Sequence, residues 1–187
     1  MSAGTDDEKT WRADFVARHG GVYEHSPWIA ERTAERGAAP RRERFADESS
    51  FVDALARALA ATLAAASDEE KLALVRAHPD LVGRAAIAGE LTADSSAEQS
   101  SAGLDRCTPE EFARFGELNT AYREKFGFPF VMAVRGRGRR EILEAFESRL
   151  GNAPETELAR ALEEIDRIAR LRLEAMSAET ASGGSGG

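Results

Sequence analysis

Phe51, Val52, Leu55, Leu59 and Leu63 recur at steps of three and four residues, a period that gathers them on one face of a helix and that no strand can share. Residues 49–65 are expected to form an amphipathic helix whose other face is mostly alanine. The same period returns along the chain, bracketed each time by start and stop signals. Trp11, Phe15 and Ala17 lie on a first helix over residues 6–19, ended by Gly20-Gly21. Ser26-Pro27 offers a cap and a first-turn proline to a short second helix that stops by Gly37. Ser67 to Glu70 has the S-x-x-E spacing of a capping box and opens a fourth helix with Leu72 and Val75 turned inward. Pro79 ends that helix, leaving His78 at a helix terminus rather than on a helix face.

Gly83 and Gly89 interrupt residues 80–94, which read as a partly irregular connection. Ser95-Ser96-Ala97-Glu98 reads as a second capping box, opening a short helix that ends at Gly103. Thr108-Pro109-Glu110-Glu111 opens another, carrying Phe112, Phe115, Leu118 and Tyr122 and stopped by Gly127. A further helix spans residues 139–150 through Ile142, Phe146 and Leu150. The last starts at Asn152 and Pro154 with the stripe Leu158, Ala161, Leu162, Ile165, Ile168 and Ala169, and Arg172 stands where that stripe should close.

These segments amount to an all-α, single-domain bundle of about eight helices over residues 1–176, followed by a flexible Gly/Ser tail over 177–187. Hydrophobic residues make up 42% of the 187 positions, enough for one continuous core without metals or disulfides. The net charge of −8 argues against nucleic acid or an acidic membrane as partner, because both demand a concentrated basic surface. Arg135, Arg137, Arg139 and Arg140 alternate in part with glycine and read as a solvated connector. Cys107 is the only cysteine, which excludes an internal disulfide and suits a reducing compartment. No signal-peptide core and no apolar run of membrane-spanning length is present, and a cytoplasmic protein is expected.

Among residues that could do chemistry, His78 stands out, since a helix-terminal imidazole fixed by a following proline is held in place and can move a proton. A cap or a core histidine would look the same. Glu98 reads either as the returning carboxylate of a capping box or as a ligand-facing acid, and beside it Gln99 offers both a donor and an acceptor near free helix N–H groups. Arg172 is either a snorkelling residue or the partner of a buried carboxylate. His19, His25, His78 and Cys107 are scattered without metal-ligand spacing, so no metal site is expected. Phosphate-cradling glycine motifs are missing.

Five motifs in order then carry a resemblance: His78-Pro-Asp-Leu81; Leu91 to Ser100 continuing through Ala102-Gly103-Leu104; Leu118-Asn119 with Tyr122-Arg123; Phe126 to Val131; and Ile168 to Leu173. From Phe15 to Leu173 the chain resembles the OHCU decarboxylase family, which acts on 2-oxo-4-hydroxy-4-carboxy-5-ureidoimidazoline. The resemblance implies an all-helical, cofactor-free carboxy-lyase, a homodimer, that forms (S)-allantoin and CO2 in urate breakdown. It implies His78, Glu98 and Arg172 as catalytic residues, and substrate contacts from Pro79, Ser95, Gln99 and the stretch Phe130, Val131, Met132, Ala133 and Val134. Eukaryotic members often end in a peroxisomal signal, whereas this chain ends in Gly and Ser, which suits the bacterial cytoplasm.

Overall fold

Helix starts carry the strongest local signals, and most are realised. In the computed structural model, which describes residues 3–83 and 90–183 and side chains over 6–83 and 90–180, eight α-helices are present among the described residues and no strand. They are α1 (Ala3–His19), α2 (Trp28–Glu35), α3 (Glu48–Ala64), α4 (Asp68–Arg76), α5 (Ala93–Ser101), α6 (Pro109–Phe126), α7 (Arg139–Arg149) and α8 (Pro154–Gly183). Two one-turn 3-10 segments, Arg42–Arg44 and Leu104–Arg106, join them.

The capping box at α4 forms: Ser67 N–H donates to Glu70 at 2.9 Å and Glu70 N–H to the Ser67 hydroxyl at 3.2 Å. The box at α6 forms likewise between Thr108 and Glu111, and Gly127 closes that helix in the left-handed conformation. Asp47 caps α3, accepting from Ser50 N–H at 2.7 Å. At α2 the expected Ser26 side-chain cap is absent; Pro27 is already helical and its flank makes no side-chain cap bond.

Three readings are corrected. The helix expected to open with a box at Ser95 starts three residues earlier, because Thr92 takes the cap and accepts from Ser95 N–H at 3.2 Å; Ser95 lies inside the first turn, and Glu98 falls in the second, beyond the position a capping carboxylate takes. Turn chemistry decides this locally, since Thr92 holds an extended backbone from which its hydroxyl reaches the third helical N–H. On α8 the buried face is rotated from the apolar stripe: Glu157, Ala161, Glu164, Ile165, Ala169, Arg172 and Leu173 are buried, while Leu158, Leu162 and Ile168 are only partly covered. Arg172 thus belongs to the buried face instead of ending it. Finally, α8 runs to Gly183 through the segment expected to be a tail from 177, because Ala178, Glu179 and Ala181 there extend an existing helix at little cost. The tail beyond, at 184–187, lies outside the described residues, as does the part of the connection at 84–89. Smaller shifts put Leu74 rather than Leu72 inside, and leave Phe112 42% exposed.

The chain divides into two compact units, one of Met1–Lys71 with Asp166–Gly187 and one of Leu72–Ile165. In the first, Phe15, Ile29, Leu55, Leu59 and Leu63 are buried. Tyr23 donates to Asp166 at 2.6 Å, and Thr33 and Thr62 share a buried hydroxyl bond of 2.7 Å. In the second, Tyr122 stands edge-on to Phe130 and Phe146, with centroids 5.4 and 5.5 Å away, while Phe130 and Phe146 stack at 3.9 Å. Glu157, fully buried beside them, is matched by Arg149, Asn152 and the Tyr122 hydroxyl. A buried carboxylate is tolerable only with such a shell. No single helix among the described residues is long and apolar enough to cross a membrane.

Candidate active site

His78 stands two residues beyond α4, and its position comes from the end of that helix. Its own N–H bonds back to Val75 O at 3.3 Å, and its ring Nδ1 lies 3.0 Å from Leu74 O. A carbonyl oxygen can only accept, so Nδ1 carries the proton, and in the neutral ring Nε2 is the acceptor. The imidazole is buried, at 7% exposure. One tautomer is thereby selected by the helix end itself.

Behind His78 the chain turns through Pro79, Asp80, Leu81 and Val82. Val82 sits at φ +53°, a conformation a β-branched residue adopts only when its surroundings hold it there. Its N–H donates to Gln99 Oε1 at 3.1 Å. Gln99 and Ser95 are both buried on α5, one turn apart, with Glu98 half-buried beside them. The structure therefore joins Gln99 to the His78 turn. A cavity of about 320 Å³ opens against Val82 and Gln99, with Leu91, Leu104, Asp105, Cys107 and Phe112 as its other walls. It takes in Gln99 but not His78, Ser95 or Glu98. Burial, with Glu111 nearby, pushes the Cys107 thiol up, so it is less of a thiolate than an ordinary cysteine.

Phe130 to Val134 form an irregular buried segment after α6. Part of its backbone is engaged within the second unit: Ala133 N–H donates to buried Glu164 at 2.9 Å, and Val131 O accepts from Arg149 at 2.8 Å. Arg172 belongs to the first unit, 5% exposed, with its guanidinium 2.8 Å from buried Glu24 and 3.4 Å from Val22 O. Of the two sequence readings of Arg172, the partner of a buried carboxylate is the one realised. The arginines of the basic connector are engaged too, Arg137 with Glu141, Arg139 with Glu111 and Arg140 with Glu144.

Sequence reasoning passed over Glu24, Glu157 and Glu164. For the last two a signal existed: they stand seven apart, two helical turns, in phase with Ala161 and Ile165. It also left Asn119 and Arg123 without a role, although both bond to the His78 turn.

The fold places the chain among all-helical proteins of a type already solved. It superposes on a crystal structure of (S)-allantoin synthase with a TM-score of 0.68 at 32% identity, over 88% of this chain and 50% of that one. A crystal structure of OHCU decarboxylase in the presence of (S)-allantoin shares the fold with a TM-score of 0.59 at 22% identity, over 79% of this chain and 91% of that one. The OHCU decarboxylase family model matches residues 9–174. The 2-oxo-4-hydroxy-4-carboxy-5-ureidoimidazoline decarboxylase of Haloferax volcanii is 44% identical over 85% of this chain and 86% of its own length, and that of Halalkalicoccus jeotgali is 42% identical over 87% and 85%. The mouse protein of the same name is 38% identical over 86% and 84%. The chain belongs to the OHCU decarboxylase family, a family of carboxy-lyases.

Proposed function

We propose that this protein converts 2-oxo-4-hydroxy-4-carboxy-5-ureidoimidazoline to (S)-allantoin and CO2 in urate breakdown, with His78 carrying the proton. Family membership supports the substrate, and the observation that carries the mechanism is the His78 tautomer, with Nδ1–H committed to Leu74 O. Loss of CO2 breaks the bond between the ring carbon and its carboxyl group. The electron pair moves into the adjacent ring C=N bond, and the ring nitrogen takes up a proton. The hydroxyl proton then leaves as the ring carbonyl forms, and a proton arrives at the ureido-bearing carbon. Nothing is oxidised or reduced, and the substrate itself holds the electrons. The residues' work is to move protons and to fix the face that receives one.

In this reading His78 Nε2 accepts the hydroxyl proton, Glu98 orients the reacting centre or relays a proton, and Arg172 holds a carboxylate. Pro79, Ser95, Gln99 and the Phe130–Val134 backbone hold the ureido and carbonyl groups. Residues 1–176 form the working domain, a span that contains the family match at 9–174. The protein acts as a cytoplasmic homodimer on a small molecule, without nucleic acid or membrane; its net charge of −8 and the family resemblance support this, and light scattering on the eluted protein tests the dimer. Circular dichroism on freshly generated substrate tests the activity: wild type yields optically active allantoin, and His78→Asn leaves the slow racemic reaction. A folded His78→Asn protein that forms (S)-allantoin at the wild-type rate would refute the assignment.

A further inference from the structure

Asn119, Arg123 and Gly127 are spaced four residues apart along α6 and its cap, so they line one face. Each bonds to the chain close to His78. Gly127 O accepts from Arg76 Nε at 3.1 Å, two residues before the histidine. Arg123 Nε donates to both Asp80 carboxylate oxygens, at 2.9 and 3.1 Å, two residues after it. Asn119 Nδ2 donates to Leu81 O at 2.9 Å, one residue further on. As the numbers rise along α6 they fall along the other strand of chain, so this face acts as an antiparallel splint that grips His78 from both sides.

The grip continues into the turn. Gln99 takes the N–H of the strained Val82, so Asp80, Leu81 and Val82 are each held by a side chain from α5 or α6. Pro79, with its locked φ, connects that held stretch rigidly to His78. The Arg123–Asp80 pair is partly open to solvent, at 46% and 24% exposure, and such pairs add little to stability. Its geometric consequence is larger than its folding consequence.

We infer that Asn119 and Arg123 are positioning residues that set where the His78 imidazole stands, an inference that rests on the reading of His78 as the proton carrier. Misplacing a reacting group by about 1 Å costs on the order of 100-fold in rate, and loosening one of several restraints costs less. Arg123→Gln is expected to lower kcat roughly tenfold with KM within about twofold and a nearly unchanged melting temperature; Asn119→Ala falls further in kcat, and Arg123→Lys recovers most of the loss. Asp80→Asn combined with Arg123→Gln is no worse than either alone, because the two act through one bond. The assays are steady-state (S)-allantoin formation by circular dichroism and thermal unfolding, with His78→Asn run alongside. Wild-type kcat in Arg123→Gln with His78→Asn inactive overturns the positioning role and leaves that of His78 standing. A rise in KM at unchanged kcat overturns it too, making these residues substrate contacts. An active His78→Asn overturns the His78 assignment itself.

Discussion

His19 should give this protein a mildly acid-sensitive fold. The ring is 7% exposed, tilted against Phe15 with centroids 4.9 Å apart, and its Nδ1 has no hydrogen-bond partner among the described residues. Burial, helped by the Arg18 guanidinium, pushes the imidazole from 6.5 down to about 4. His19 lines a cavity of its own unit together with the charged groups Asp14, Arg18, Arg42, Glu43 and Glu48, which do not offset that burial. Since the folded pKa is depressed, the unfolded chain binds more protons between pH 6.5 and 4. Stability is therefore fully present above about pH 6.5 and falls as pH drops through this window. The full loss is on the order of 3 kcal/mol at ~1.36 kcal/mol per pKa unit. By pH 5.5, still above the sequence pI of 5.1, roughly 1 kcal/mol is gone. Urea unfolding at pH 7.5 and 5.5, in wild type and in His19→Gln, isolates this contribution, because every other titrating group is common to both. Wild type should lose roughly 1 kcal/mol more than the variant over that interval. Parallel losses in the two proteins would refute the reasoning.

Two further outcomes are expected. Gly83→Ala places a Cβ 2.6 Å from Asp80 Cβ, which displaces Asp80 from Arg123; kcat should fall roughly tenfold with little change in KM, as steady-state assays would show. Glu24→Gln leaves Arg172 buried without its carboxylate, at a cost of about 3–5 kcal/mol read by thermal unfolding, and Glu24→Gln with Arg172→Met should recover part of it.

Much of the fold is legible locally. Thr108-Pro109-Glu110-Glu111 specifies a helix start by itself, since the cap bonds run between residues three apart, and the same holds at Ser67 and at Gly127. The α5 start misled because two overlapping cap sequences, at Thr92 and at Ser95, satisfy the same local rule, and only backbone geometry selects between them. On α8 the apolar stripe pointed to Leu158 and Leu162, whereas packing buried Glu157 and Glu164, whose partners Arg149, Asn152 and Ala133 come from elsewhere in the second unit. Periodicity reads hydrophobicity and is blind to a charge that is matched after folding.

The candidate site divides in the same way. His78 at a proline-ended helix, and Ser95, Glu98 and Gln99 one turn apart on a short helix, follow from residue order and helical spacing, because both are properties of a few adjacent residues. The tautomer of His78 is also local, set by Leu74 O four residues back, whereas the strained Val82 held by Gln99, the splint from α6 and the pairing of Arg172 with Glu24 depend on groups 17 to 148 positions apart. Sequence alone determined where most of the helices lie and which residue types stand at their ends. Tertiary structure decided which face of each helix is buried and which charges meet, because a buried polar group must find its partner wherever the packed chain brings one within bonding distance.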